Sequence, residues 1–171
     1  MNRRGVVQRG FTLIELTIVI VVLAAFGAVA LLRYQPADSG VGYQADRLAR
    51  DIRHMQMLAL TWGMTLRLVP SATGYYVRCA SGSATTPCNG AGAVTDPADG
   101  QPFQYSPLDN GVTLDVKRLA VNLANFDIDS LGRPVVSGVV DTANSIFTLT
   151  GGAKTPVVTV LPLTGFVSVV Y

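Results

Sequence analysis

The sequence predicts an α+β protein: a long N-terminal helix, its first half membrane-spanning, packed through its second half on a C-terminal antiparallel β-sheet or sandwich. Three observations carry this. Residues 11–32 form an apolar run with one charged side chain, Glu15. Residues 43–62 repeat apolar side chains at helical spacing, and from Thr65 onward the pattern changes to period two with turn residues between short runs. The chain has 171 residues, 14% of them charged and 49% hydrophobic, too apolar and too weakly charged for a disordered chain. Its formal charge of +2 is misleading, because Arg3, Arg4 and Arg9 all precede the apolar run. Without the first ten residues the net charge is −1, so the composition does not point to a basic nucleic-acid-binding body.

Residues 1–10 read as a short basic leader and residues 11–34 as a transmembrane helix. At 1.5 Å per residue the 22 residues from Phe11 to Leu32 reach about 33 Å, enough to cross a bilayer core. The arginines on the N-terminal flank place the amino terminus in the cytoplasm and the rest on the far side. Three kinds of segment share this outline: a secretory signal cut near Ala28-Val29-Ala30, a plain anchor, and a leader cut before the apolar run so that the run survives. Glu15 separates them. A carboxylate among apolar residues costs on the order of 2.5–3.5 kcal/mol at a membrane centre, less near the interface, and calls for a partner.

Gly10-Phe11-Thr12-Leu13-Ile14-Glu15 resembles the cleavage and methylation site of type IV prepilins and pseudopilins, which carry a basic leader ending in Gly, then Phe, a Glu four residues on, and an apolar helix. The resemblance covers about the first 33 residues. It implies that prepilin peptidase cuts between Gly10 and Phe11 and N-methylates Phe11, leaving Glu15 as the fifth residue of the mature chain. It implies further that the chain sits in the bacterial inner membrane as a single-pass protein with a periplasmic body. From there it joins other pilin or pseudopilin subunits through the inner-membrane assembly machinery. The chemistry is coherent: glycine before the scissile bond leaves the backbone open to a protease. The new amine on Phe11, buried among helices, needs a counter-charge, which Glu15 of a neighbouring subunit would supply. The bland alternatives are that Glu15 is an oddity of a signal peptide or a tolerated acid near the interface.

Residues 35–63 hold a break and a second helix. Pro36, Gly40 and Gly42 predict a bend, and a helix follows over about Tyr43 to Trp62, with Leu48, Ile52, Met55, Leu58 and Ala59 facing inward. Asp46 with Arg50, and Arg47 with Asp51, stand at i,i+4 as outward ion pairs, and Gly63 ends the helix. Residues 64–171 form the β-rich domain. Strands are predicted at Thr65–Val69, Gly74–Cys79, Val112–Val116, Leu123–Ile128, Val135–Val139, Ser145–Thr150, Val157–Leu161 and Phe166–Val170. Residues 80–102, rich in small and polar residues, read as a long surface loop suited to recognition. Arg47-Leu48-Ala49-Arg50-Asp51 and the stretch Phe126–Pro134 resemble the H-type minor pseudopilins and related minor pilins, with a mannose-sensitive-haemagglutinin-type minor pilin as the subgroup.

Cys79 and Cys88 can form a disulfide if the body lies in an oxidising compartment. His54, the sole histidine, lacks neighbours at metal-site spacing and reads as a packing or surface residue. Asp127 and Asp129 before Gly132 match part of a calcium loop, but Leu131 stands where an oxygen ligand is needed and no Glu closes the loop; a turn with solvated acids is the better reading. Arg47, Arg50 and Arg53, with Lys117, Arg118 and Arg133, are the candidate DNA contacts that some H-type relatives suggest; solubilisation of a near-neutral surface is the favoured reading. Tyr75, Tyr76, Tyr105 and Trp62 read first as packing residues. No nucleophile-elbow, zinc-protease, P-loop or dinucleotide-binding motif is present, so neither a catalytic residue nor a cofactor is expected. The expected role is a minor pilin or pseudopilin, a substrate of an enzyme and not itself one. A type II secretion pseudopilin and a DNA-binding pilus-tip subunit are the alternatives.

Overall fold

A computed structural model describes residues 13–33, 36–81, 85–108 and 111–171. The chain divides into two compact units, residues 1–36 and 37–171. The first contains helix α1 (Leu13–Arg33).

Helix α2 runs Pro36–Trp62, and the second unit is built on it from Ala37 onward. It starts earlier than the predicted Tyr43 and continues through the stretch expected to bend. Proline is well suited to a first helical turn, where its missing N–H has no partner to lose. Gly42 is retained within the helix at a close approach: a Cβ there would lie 3.4 Å from the Tyr171 ring. Val41, Ala45, Leu48, Ala49, Ile52, Met55, Leu58 and Ala59 are buried, a single stripe at three- and four-residue spacing.

Eleven strands follow among the described residues: β1 (Leu66–Ser71), β2 (Gly74–Cys79), β3 (Gln104–Tyr105), β4 (Thr113–Arg118), β5 (Val121–Asn122), β6 (Phe126–Ile128), β7 (Pro134–Val136), β8 (Val139–Val140), β9 (Ser145–Thr150), β10 (Val157–Val160) and β11 (Val167–Val170). They make two antiparallel sheets, ordered β3-β2-β1-β6-β7-β8 and β11-β10-β9-β4-β5. The strands alternate as half-buried antiparallel strands should, with Phe147 and Leu149 in and Ile146 and Thr150 out along β9. The inward side chains of both sheets and of α2 share one core. Phe126 of the first sheet meets Phe147 of the second edge-on, ring centres 5.2 Å apart.

The predicted strand Val135–Val139 is two strands, folded back through Ser137 and Gly138, both at positive φ (52° and 80°). The β4–β5 hairpin turns through Leu119 and Ala120, at φ 48° and 63°. A two-residue turn of this kind favours Gly or Asn, so the sequence carried no signal for it. Residues 85–102 are mostly exposed turns, as a surface loop should be, but they are anchored to the body. Val94 is fully buried, its N–H donates to the Val77 carbonyl at 2.8 Å, and Thr95 pairs with Pro102.

Candidate functional site

Gly10 and Phe11, the expected processing pair, lie outside the described residues. Glu15 stands in the first turn of α1, where an acid complements the positive end of the helix dipole. Every described side chain from Leu13 to Gly27 is exposed within its unit, Leu13 to 81% and Phe26 to 72%. That leaves an apolar surface with nothing from its own unit to cover it. Among the described residues no helix is long and apolar enough to cross a membrane.

The three helix arginines do not form one open basic face. Arg47 lies 3.7 Å over the Tyr105 ring and 3.9 Å from the Asp51 carboxylate. Arg50 lies over the Tyr43 ring at 5.8 Å, and not against Asp46 as the i,i+4 spacing predicts. Asp46 instead accepts the Tyr171 hydroxyl at 2.5 Å, because the final residue of the described chain returns to the helix at Gly42. Arg53 donates to the Val167 carbonyl at 2.9 Å and so ties α2 to β11. Gln56, one turn on, donates to the carbonyls of Gly132 and Gly165.

Cys79, the last residue of β2, and Cys88 are joined by a disulfide with Cα atoms 5.7 Å apart, and both are buried. Met64 packs its sulfur 3.6 Å from Cys79 and 3.7 Å from Cys88. A second tie holds the same segment to α2: His54 Nε2 lies 3.0 and 3.1 Å from the two Asp96 oxygens, and its ring packs on Phe103 at 5.4 Å. This pairing was not legible in the sequence, since Asp96 lies in a stretch without periodicity. Beside it, the Tyr75 hydroxyl donates to Asp51 at 2.6 Å. Burial pushes the Asp51 carboxyl up, against the pull of the Tyr75 hydroxyl and Arg47. Burial and the Asp51 charge push the Tyr75 phenol up well beyond its ordinary range.

Asp127 and Asp129 are engaged with arginines. Asp127 takes a two-pronged pair from Arg67 at 2.7 Å each, across β1 and β6. Asp129 accepts the backbone N–H groups of Leu131 and Arg133 and the Arg133 guanidinium. Burial works to raise its pKa, but Arg133 and those N–H groups prevail and hold it below the usual carboxylate range. Arg118 and Asp141 make a similar pair between β4 and the end of β8, at 2.6–2.8 Å. Lys117 pairs with Asp115 at 2.6 Å. Among the described residues no three His, Cys, Asp or Glu side chains converge as metal ligands. The hydrogen bonds and ion pairs described above tie α2, the disulfide segment and the two sheets together.

The family model for the prokaryotic N-terminal methylation motif matches residues 7–31. No curated protein matches the chain. Among solved structures, the crystal structure of the type IV minor pilin FimU of Pseudomonas aeruginosa (strain PAO1) is similar at 13% sequence identity and a TM-score of 0.54, over 78% of this chain and 90% of that one. A second crystal form of FimU gives 14% identity and a TM-score of 0.49, over 74% of this chain and 90% of that one. The identity is too low to carry anything but the fold, and the fold it supports is the helix-on-antiparallel-sheet plan described above. The chain carries the N-terminal methylation motif of prokaryotic prepilins ahead of an α+β fold shared with a type IV minor pilin.

Proposed function

We propose that the chain is a minor type IV pilin, a structural subunit clipped after Gly10, methylated on Phe11 and assembled into a filament. The observation that carries this reading is the methylation motif, matched over residues 7–31. The FimU-like fold supports it. The apolar run holds the precursor in the inner membrane, with the body outside the cytoplasm. On assembly the exposed apolar face of α1 packs on neighbouring pilin helices, and head-to-tail contacts that do not close into a ring extend the filament. Glu15 pairs with the methylated amine of a neighbour and sets axial register. Prepilin peptidase, other pilins and the inner-membrane assembly machinery are the partners. A DNA-binding role is disfavoured because Arg47 and Arg53 are engaged within the body and Arg50 lies over Tyr43.

The test is an epitope-tagged chain expressed in its own cell, with surface filaments sheared off and probed. The tag is expected in the sheared fraction and missing from it in Glu15→Val, which remains in the membrane. Recovery only in a periplasmic filament whose loss blocks export of secreted proteins replaces the pilus with a secretion pseudopilus. Recovery as a soluble protein lacking the apolar run overturns the proposal.

A further inference from the structure

The turns at one end of the body carry large apolar side chains where turns ordinarily carry small or polar ones. Strand register brings them to the same end. Arg118 of β4 stands opposite Ser145 of β9, Ser145 opposite Val160 of β10, and Val160 opposite Val167 of β11. The β4–β5 turn and the β10–β11 turn therefore leave the second sheet together. Gln56 adds the β6–β7 turn by donating to the carbonyls of Gly132 and Gly165. This is the end at which α2 finishes. Leu60, Leu119, Val121, Leu131, Leu163 and Phe166 lie there, each 54–70% exposed. Leu60, Leu131 and Phe166 flank a cleft of about 440 Å³. Single exposed apolar residues are ordinary, whereas a gathered set marks an interaction site.

Leu119 and Leu163 supply a second, independent observation. Both sit in the left-handed region, at φ 48° and 63°, which bulky side chains resist and Gly or Asn accepts. Neither the backbone nor water favours leucine at either place. A contact outside the body does. The charges around this end are already matched within the chain: Arg118 by Asp141, Arg133 by Asp129, and Arg53 by the Val167 carbonyl. An apolar centre with a neutralised rim fits a protein surface of the same character. An anionic lipid surface would call for uncompensated Lys or Arg. A second copy fits less well. Two-fold pairing of this end with itself would point the two chains in opposite directions, whereas a filament extended head to tail has one polarity. The opposite end presents small and polar turns, 71–73 and 151–155, and its tyrosines are engaged, Tyr43 by Arg50 and Tyr171 by Asp46. We propose that the end of the body at which α2 finishes docks an apolar, uncharged surface on the body of a different subunit of the same filament. The inference rests on the filament reading and adds a partner-facing surface to it.

The test uses the full chain, tagged and expressed in its own cell, with photoreactive benzoylphenylalanine in place of Leu119 or Leu163, or of Ala72 at the opposite end as the control. After irradiation the filaments are sheared off and the adducts identified by mass spectrometry. Positions 119 and 163 are expected to give an adduct, absent from position 72, with one other protein that itself begins at an N-methylated residue. The double variant Leu119→Asn, Leu163→Asn is the second readout. Asparagine suits both turns, so the melting temperature is expected not to fall. The share of the chain in the sheared filaments is expected to drop about tenfold, as for the loss of two interface anchors. A parent chain present in the filaments but without an adduct from 119 or 163 overturns this inference and leaves the filament reading standing. An adduct with a second copy or with lipid alone overturns it too, as does recovery of the double variant at the parent level. A parent chain missing from the sheared filaments overturns both.

Discussion

Asp141 is expected to hold the far end of the sandwich together through its negative charge. Its side chain is 1% exposed, and Arg118, 25% exposed, reaches it from β4 with two guanidinium nitrogens at 2.6–2.8 Å. The Ala143 N–H donates to the same carboxylate at 2.9 Å. Asp141→Asn keeps an acceptor for Ala143 but removes the charge. A hydrogen bond to a charged group contributes about 1.5–3 kcal/mol, and Arg118 can turn partly to water, so the expected loss is about 2 kcal/mol. Asp141→Ala also orphans the Ala143 N–H, and about 3 kcal/mol is expected, the low end for a broken buried pair. For the body, residues 37–171, about 2 kcal/mol corresponds to a melting temperature lower by roughly 6–10 °C. The pH dependence follows from sign. Burial opposes ionisation, but Arg118 and the backbone N–H groups prevail and depress the folded pKa of Asp141. Its stabilisation is therefore full above the unfolded carboxylate range, about pH 4, and is lost as pH falls through the depressed folded value. Denaturant unfolding at pH 7 and pH 3 measures both effects. A loss under about 0.5 kcal/mol at pH 7, or a gap between wild type and Asp141→Asn that does not narrow toward pH 3, refutes the reasoning.

Joint replacement of Cys79 and Cys88 by Ala is expected to lower stability by about 2.5–3 kcal/mol, the loop-entropy value for so short a bridge, read by denaturant unfolding against the oxidised parent. Phe147→Ala removes a fully buried ring that bridges the two sheets, and about 3–5 kcal/mol should be lost in the same assay. Gly74→Ala would drive a methyl into the Tyr105 carbonyl and to 2.6 Å from the Ser106 Cβ. A loss of about 1–3 kcal/mol is expected by thermal melting, as for an overpacked site.

Much of this architecture was legible because burial imposes periods that a sequence records. The stripe Leu48, Ile52, Met55 and Ala59 could face only one way on a helix, and Ser145–Thr150 alternates as a strand between a core and solvent. What escaped had both local and tertiary causes. Pro36 begins α2 because a first turn tolerates it, and Gly42 stays helical where Tyr171 comes close, a contact between residues far apart in sequence. Asp46 turned from Arg50 to Tyr171 for the same reason. The Leu119-Ala120 turn lacks glycine and asparagine, and the two-residue strands β3 and β5 are too short to show a period. In the candidate site, the motif from Gly10 to Glu15 was readable because peptide chemistry fixes it locally. The His54–Asp96 tie depends on how residues 85–102 lie against α2, which no local pattern encodes.

The central claim is that the apolar run is kept and its first residue modified. Intact mass and N-terminal sequence of the protein drawn from its native membrane test that most directly. The account predicts a chain beginning at N-methylated Phe11. A chain beginning at Leu31, or one still beginning at Met1, would contradict it.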